Sequence, residues 1–255
     1  MEYLGETLDI HTGGEDHIFP HHENEIAQSE GATGKKFADF WLHARFLMVD
    51  GQKMSKSKGN FYALKDIEAK GYLPMHFRLF ALSGHYRTNV NFTWAVMDQA
   101  KANYNRITDW ISNLENLKIE KSVSLVPGED KIDFSYIYQK RFEAAMDDDL
   151  NTPLALSVVY ELITETNKLL AEKKLGQDEA KNILNLWQKM NKVFGLKIDN
   201  KTGLIPDDIN KLAEERKKTR DDKNFQLSDE LREKMEKMGY SIEDLKDNEY
   251  IIRKK

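Results

Sequence analysis

The stretch from residue 45 to residue 58 constrains the fold most, because an apolar run leads there into a cluster of cations. Residues 45–49 are largely apolar and Asp50-Gly51 follows them, which predicts a buried strand ending in a tight turn. Open α/β sheets bind their ligands beyond the carboxyl ends of such strands. The cations after the turn are Lys53, Lys56 and Lys58. Their mutual repulsion leaves two interpretations, a mobile loop that binds phosphates or a solvated basic turn.

Composition limits the classes of protein to which the chain can belong. At 255 residues with 40% hydrophobic content, the chain is long enough for one large domain or two to three small ones. It contains no cysteine, which excludes disulfides and thiolate metal sites within the chain. No run of eighteen apolar residues occurs and the first residues lack the pattern of a signal peptide, so we expect a cytoplasmic protein without a membrane segment. The net charge of −5 decides nothing about RNA binding.

The first thirty residues predict a strand, a glycine loop and a helix. A strand is expected at 7–10, and Gly13-Gly14 lets the backbone approach a ligand or simply forms a strand-to-helix turn. Pro20 precedes a polar run without breakers, which predicts a helix with Pro20 near its first position. His21 and Glu25 stand four residues apart and share one face of that helix. They form either a metal-binding pair or a surface hydrogen bond.

The remainder predicts mainly helices. We expect a short amphipathic helix at 37–43, a long helix at 92–117 and a charged linker at 118–133. Asn151 or Thr152 before Pro153 predicts a helix start, and the preceding acidic run is interpreted as helix capping because the spacing of a calcium loop is absent. A charged helix and a small strand pair at 240–252 close the chain.

Two motifs carry a resemblance to a known family. Residues 9–29 (DIHTGGEDHIFPHHENEIAQS) resemble the signature of cysteinyl-tRNA synthetases, and Lys53-Met54-Ser55-Lys56-Ser57 resembles the KMSKS loop of class I aminoacyl-tRNA synthetases. The segment around 147–153 is similar to the start of the DALR anticodon-binding domain. The resemblance implies a mixed fold, in which the C-terminal part of an α/β Rossmann-type catalytic domain is followed by mainly α-helical bundle domains. The implied domains are a catalytic part with the lysine loop at 1–62, a stem-contact region at 63–125, a DALR-type domain at 131–197 and a small domain at 204–255.

The resemblance also implies roles for individual residues. Lys53 and Lys56 are expected to act on the phosphates of ATP during catalysis. The adenylate is expected to contact Gly14, Asp16, Met48, Val49 and Lys56. His21 and Glu25 fall on two positions that coordinate Zn²⁺, which selects cysteine by binding its thiolate. The residues expected to contact tRNA are Arg87, Arg216, Lys217, Arg220 and Lys223.

The chain departs from the family pattern in its missing motifs. It has no cysteine and no His-x-Gly-His, whereas the family's Zn²⁺ site uses two further cysteines and its HIGH motif lies upstream. We therefore expect the C-terminal portion of a synthetase that ligates L-cysteine to tRNA(Cys) through a cysteinyl-adenylate, with ATP and Mg²⁺. Such a portion is expected to be incomplete alone, to be completed by an N-terminal half supplied in trans, and otherwise to be a monomer. The alternatives are a non-catalytic tRNA-binding fragment and, more remotely, a ligase that joins cysteine to an amino sugar.

Overall fold

The computed structural model describes residues 1–117, 134–198, 207–222, 224–244 and 250–254. They divide into two compact units, Met1–Lys197 and Ile198–Lys255. The predicted linker at 118–133 lies outside the described residues. In the part of the chain that is described, no helix is both long and apolar enough to span a bilayer.

A two-stranded parallel sheet opens the first unit. Strand β1 (Leu8–Gly14) leads through a short helical turn into helix α1 (Glu23–Thr33), and the chain returns as strand β2 (Ala38–Ala44). Their register runs from Leu8 opposite Ala38 to Gly14 opposite Ala44. The sequence predicts a helix that starts near Pro20. Helix α1 begins three residues later, at Glu23.

The short helix expected at 37–43 is wrong, because β2 occupies these residues. Phe40 and Trp41 are residues that favour strands, and successive side chains of β2 point to opposite faces of the sheet. Trp41 packs edge-on against the ring of His11 on β1. Pairing with a strand about thirty residues away therefore outweighs the local helical pattern.

The predicted strand and turn before the lysines are confirmed. Strand β3 (Leu47–Val49) turns back into β4 (Gln52–Lys53), and both residues of the turn, Asp50 and Gly51, have positive φ, at 49° and 77°. Strand β5 (Val90–Phe92) pairs with β3 in parallel. A core cluster supports this second sheet and consists of Val49, Ile67, Phe80, Phe92, Met97 and Ala100.

Helices form the rest of the first unit. They are α2 (Leu64–Ala69), α3 (Pro74–Leu82), α4 (Trp94–Glu115), α5 (Phe134–Asp147), α6 (Thr152–Ala171) and α7 (Gln177–Phe194). The predicted start of α6 is confirmed, since the Asn151 side chain accepts a hydrogen bond from the Leu154 amide at 3.1 Å. The Trp110 indole N–H donates to the Thr166 hydroxyl at 2.7 Å and satisfies both polar groups in the buried interior between α4 and α6.

The second unit contains α8 (Asp207–Asp221), α9 (Phe225–Lys237) and an antiparallel pair, β6 (Tyr240–Asp244) with β7 (Tyr250–Lys254). The predicted strand pair is therefore confirmed. Its core joins residues of both helices and of β6, namely Ile209, Leu212, Ala213, Leu231, Met235 and Ile242.

Candidate active site

The glycine pair at the end of β1 makes room for two side chains. A Cβ atom on Gly13 would lie 2.8 Å from Nε2 of His22 and 3.1 Å from Nδ1 of His17. A Cβ atom on Gly14 would lie 2.5 Å from Oδ1 of Asp16. The distances of 2.8 Å at Gly13 and 2.5 Å at Gly14 are shorter than ordinary van der Waals contacts. A larger residue at either position would therefore displace these polar groups. The glycines are needed here for close packing around the strand end.

Five histidine rings lie around this strand end. His22 is buried, and its Nδ1 is 2.8 Å from Nε2 of His43 on β2. His11 on β1 places its Nε2 2.8 Å from Oε2 of Glu25 on α1. Donor atoms of His11, His22 and Glu25 all lie within 4.8 Å of one another, which is close enough to share one metal ion.

The protonation of this group suits cation binding. Burial, followed by the neighbouring rings of His11 and His43, lowers the pKa of His22, so its ring is neutral near pH 7. Burial is the largest single influence and would raise the pKa of Glu25. The hydrogen bond with His11 and the charges of the neighbouring histidines together outweigh burial and lower this pKa below the usual value. Glu25 is therefore a carboxylate beside a neutral imidazole, which is the ligand form of both residues.

His21 and Glu25, the predicted metal pair, are also brought together. Nε2 of His21 is 3.5 Å from Oε1 of Glu25, and the His21 side chain is 62% exposed. His11 and His22 were not selected as ligands from the sequence. Spacing on one helix identifies neighbours four residues apart, whereas His11 reaches Glu25 from a strand fourteen residues earlier. Five histidines among the first 43 residues were the available signal.

The lysine loop leaves the β3–β4 hairpin and is closed by Asn60. The Asn60 side chain accepts a hydrogen bond from the Ser55 amide at 2.8 Å and donates to the Lys53 carbonyl at 3.3 Å. Lys53 places its Nζ 3.9 Å from the centre of the Phe46 ring, and Lys56 lies 5.4 Å from that of Phe61. Within the described ranges, neither of these lysines forms an ion pair with a carboxylate, so their charge is available to an anion.

A cleft of about 730 Å³ adjoins both motifs. One wall contains Gly13 and Gly14 at the end of β1, and another contains Phe46, on which Lys53 packs. Leu150 and Tyr86 line the side formed by the helical region. The cleft is mostly apolar with a few polar groups, which is typical of small-molecule sites.

The two residues predicted to line an adenine pocket differ in position. Met48 is half-buried on β3, but the Val49 side chain is 2% exposed and packs in the core cluster with Ile67 and Phe92. Val49 borders only a small apolar cavity of about 160 Å³ behind the sheet. The predicted contact with adenine is therefore corrected for the Val49 side chain, because this side chain points to the core face of β3.

Arg87 belongs to a hydrogen-bonded group around Asp149. Its Nε is 2.6 Å from the Asp149 carboxylate, to which the Tyr86 hydroxyl also donates at 2.6 Å. His85 lies 3.0 Å from the Asp149 carbonyl oxygen. Asp149 and Leu150 both have positive φ, at 53° and 55°. The acidic run before α6 thus anchors the loop at 83–88, a role that helix capping did not predict for Asp149.

The predicted basic ridge of the second unit is not an exposed row of four cations. Arg216 is 2% exposed and makes a bidentate ion pair with Asp244, at 2.7 and 3.0 Å, so its guanidinium is not open to a phosphate and the prediction is corrected for this residue. Arg220 also pairs with Asp244, and Lys217 lies 6.0 Å from the Tyr250 ring centre. Lys223 lies outside the described residues.

Comparison with known proteins agrees with the motifs. Residues 1–102 match the family model of the class I (C) tRNA synthetase catalytic domain, and residues 141–199 match that of the DALR domain. The chain is 41% identical over 248 residues to the cysteine–tRNA ligase of Protochlamydia amoebophila (strain UWE25), with 96% of this chain and 50% of the relative covered. The chain is therefore similar to cysteinyl-tRNA synthetases over nearly its whole length. A second family member, from Chlamydia felis (strain Fe/C-56), is 40% identical over 247 residues and is covered to 51% of its length, with 96% of this chain.

The chain spans about half the length of the curated relatives it matches. Its fold is similar to part of the ternary complex of Agrobacterium radiobacter K84 agnB2 LeuRS with tRNA and LeuAMS. That similarity has a TM-score of 0.55 at 13% identity and covers 72% of this chain and 25% of the other. Together with the match of residues 1–102 to the class I (C) catalytic-domain model, this similarity confirms the predicted class I fold with a helical continuation.

Proposed function

We propose that this chain supplies the lysine loop, the glycine loop and the tRNA-binding helices of an enzyme that ligates L-cysteine to tRNA(Cys). In the first step, a cysteine carboxylate oxygen attacks the α-phosphorus of Mg²⁺-bound ATP, and pyrophosphate leaves. In the second step, a terminal ribose hydroxyl of the tRNA takes the cysteinyl group and AMP leaves. The observation that carries the proposal concerns the lysine loop, whose Lys53 and Lys56 have no carboxylate partner among the described residues. Lys53 packs on Phe46, which lines the same cleft as Gly13 and Gly14.

The lysines act electrostatically in this proposal. Lys53 and Lys56 bind the departing phosphates and stabilise the charge that develops on them. Their flexible side chains allow them to follow the phosphates as the bond breaks. Gly14 lines the cleft, and the Asp16 carboxylate, two residues later, accepts hydrogen bonds from the adenylate ribose or from the substrate ammonium. Met48, on the strand before the loop, contacts the adenine.

The histidine cluster fits a Zn²⁺ ion by its chemistry. His11, His22 and Glu25 provide two imidazole nitrogens and one carboxylate, while His43 fixes the orientation of the His22 ring. His21 and Glu25, the pair implied by the family, form an alternative set with the same carboxylate. When bound, the metal coordinates the substrate thiolate, for which a serine hydroxyl is too hard a ligand. No cysteine is present to complete the site, so we expect weak affinity in this chain alone.

The DALR match supports tRNA as the second partner. Arg87, Lys217 and Arg220 are the remaining described candidates for contacts with phosphates, each already engaged with a neighbouring side chain. We expect them to contribute mainly salt-dependent affinity without reading the sequence. We also propose that the chain is divided into four domains, at residues 1–62, 63–125, 131–197 and 204–255.

Cysteine-dependent exchange of pyrophosphate into ATP tests the function. We expect activity when the chain is combined with the half of a curated relative that it does not span, and little activity in the chain alone. Lys56→Ala should lower the exchange rate at least about a hundredfold while tRNA binding changes less than about threefold. Lys65→Ala, a neighbouring exposed lysine on α2, is the matched control and should change neither quantity.

Two outcomes would favour the alternatives. Specific tRNA binding without exchange in any combination would favour a non-catalytic tRNA-binding chain. Cysteine transfer to an amino sugar without tRNA charging would favour the related ligase, although the match to the DALR domain supports tRNA. Equal losses of exchange and of tRNA binding in Lys56→Ala would contradict the proposed role of the loop.

A further inference from the structure

The small cavity behind the β3–β5 sheet has a wall drawn from several elements. Its volume is about 160 Å³. The sheet contributes Val49 and Phe92, helix α2 contributes Ile67 and helix α3 contributes Phe77. We call this space, bounded by these four residues and by the lysine loop in front of them, the rear cavity.

The chemistry of the wall makes the rear cavity a poor site for water. A buried water molecule needs two to four polar partners, whereas seven of the eight lining residues are apolar and Tyr62 is the exception. Strand β3 pairs with β4 on one edge and with β5 on the other, so its backbone groups are engaged in the sheet. Protein interiors contain few voids larger than a water molecule, and the atoms around a void lose dispersion contacts. Apolar atoms that fill this space would restore those contacts.

The size of the rear cavity and its aromatic rings indicate which molecule fits. An engineered protein cavity of about 150 Å³ lined by Leu, Ile and Phe stays dry and binds benzene. The rear cavity has nearly the same volume and the same kinds of side chain. The ring centre of Phe92 lies 5.6 Å from that of Tyr62 and 6.4 Å from that of Phe77. These rings offer the wall of a site for a further planar ring.

The rear cavity adjoins two parts of the candidate active site. Leu47 and Phe77 are both half-buried and line the rear cavity as well as the cleft of about 730 Å³, so they stand between the two spaces. Met54 of the lysine loop also lines the rear cavity and packs against the core cluster. It is the only hydrophobic residue between positions 53 and 60. An occupant of the rear cavity therefore contacts the lysine loop at Met54.

We propose that the rear cavity is a binding site for a small, uncharged aromatic molecule of the size of benzene, which packs against Met54 behind the lysine loop. The ligand reaches the site from the cleft, past Leu47 and Phe77. Once bound, it fills the void and restricts the movement of the Met54 side chain. The site goes beyond the proposed function, because binding requires neither ATP nor cysteine nor tRNA. A failure of either proposal therefore leaves the other standing.

Methyl NMR of the full chain tests the proposal, with benzene as the probe. The methyl groups of the nine methionines are labelled, and the Met54 signal is assigned with the variant Met54→Leu. Benzene should shift the Met54 signal through its ring current and leave Met238, an exposed residue of the second unit, unchanged. We expect a dissociation constant of about 1 mM or below. Pyrimidine should bind at least about tenfold more weakly, since its two ring nitrogens would lose water without gaining partners.

A cavity-filling variant gives an independent measurement. Val49→Phe places a ring in the rear cavity and should weaken benzene binding at least about tenfold. Val193→Phe, the same change at an exposed residue of α7, is the matched control and should leave the affinity within about twofold. Benzene should also raise the unfolding temperature of the wild-type chain and of the control, but not that of Val49→Phe. Thermal unfolding without benzene checks that each variant is folded.

Three results would overturn the proposal. They are an unshifted Met54 signal in the wild-type chain at saturating benzene, equal affinities for benzene and pyrimidine, and full affinity in a folded Val49→Phe variant. If Val49→Phe does not fold, the comparison of benzene with pyrimidine in the wild-type chain decides.

Discussion

The β1–β2 layer and the α4–α6 helices of the same unit use their apolar residues in opposite ways. In the helices, Ile107, Leu162 and Ile163 are completely buried. In the sheet layer, Ile10 and Phe40 are more than half exposed, while the ring of His22 is buried. Because burial of apolar side chains is the main stabilising contribution, the helices hold themselves together and the sheet layer contributes little to stability. Among the described residues, the region with the candidate site therefore leaves Ile10 and Phe40 uncovered.

Two buried histidines show the same contrast. His76 on α3 accepts a hydrogen bond from the Leu73 amide at 3.1 Å, and its Nε2 has no hydrogen-bond partner among the described residues. His22 instead lies among other histidines and beside Glu25, where a cation can bind. The first histidine has a structural environment and the second has the environment of a ligand.

The largest effect is expected from removing apolar volume in the helices. Ile163→Ala should lower the free energy of unfolding by about 2 to 5 kcal/mol, since the side chain is fully buried and leaves a cavity. Denaturant unfolding followed by circular dichroism measures the change. A loss below about 1 kcal/mol would show that the helices do not carry the stability of the unit.

The next effect concerns pH. Burial, and to a lesser extent Lys101, lowers the pKa of His76 to about 4, compared with 6.5 in an unfolded chain. The unfolded state therefore binds the proton more tightly, so the stability contributed by neutral His76 is complete above pH 6.5 and is lost as pH falls towards 4. The loss should reach at most about 3 kcal/mol.

His76→Asn tests this dependence, because its amide oxygen can still accept a hydrogen bond from the Leu73 amide. Unfolding free energies measured between pH 7 and pH 4 should fall less steeply in the variant than in the wild-type chain. Parallel slopes in the wild-type chain and in His76→Asn would contradict the assignment.

A smaller, local effect is expected where the helices meet the cleft. Asp149→Asn should weaken the hydrogen bonds from Tyr86 and Arg87 and increase amide exchange at residues 85–88. The Tyr86 hydrogen bond, followed by the charge of Arg87, lowers the pKa of Asp149, so this contribution is present at neutral pH and is lost as pH falls below the usual carboxyl range. Asp178→Asn, at a 91% exposed side chain, should change nothing.

The smallest effect is expected at Phe40, an exposed residue of β2. Phe40→Ser should change the unfolding free energy of the isolated chain by less than about 0.5 kcal/mol, because the side chain is already 67% exposed. The same denaturant titration as for Ile163→Ala gives a direct comparison. A loss of 2 kcal/mol or more would remove the contrast between the two regions.

The sequence by itself determined the features that depend on neighbours within a few residues. The turn at Asp50-Gly51 and the cap at Asn151 follow from local backbone preferences and from hydrogen bonds that span three residues. The similarity to cysteinyl-tRNA synthetases followed from two short motifs, whose residues stand together in the chain. These predictions needed no knowledge of what packs against what.

Only the tertiary structure decided the rest. Residues 38–44 form a strand because β1 is available to pair with them, and Arg216 is buried because Asp244 reaches it from a strand 28 residues later. His11 and His22 meet Glu25 for the same reason, since a strand and a helix end converge there. Pairing between distant segments depends on the packing of the whole layer. Such pairing cannot be predicted from the local periodicity of the sequence.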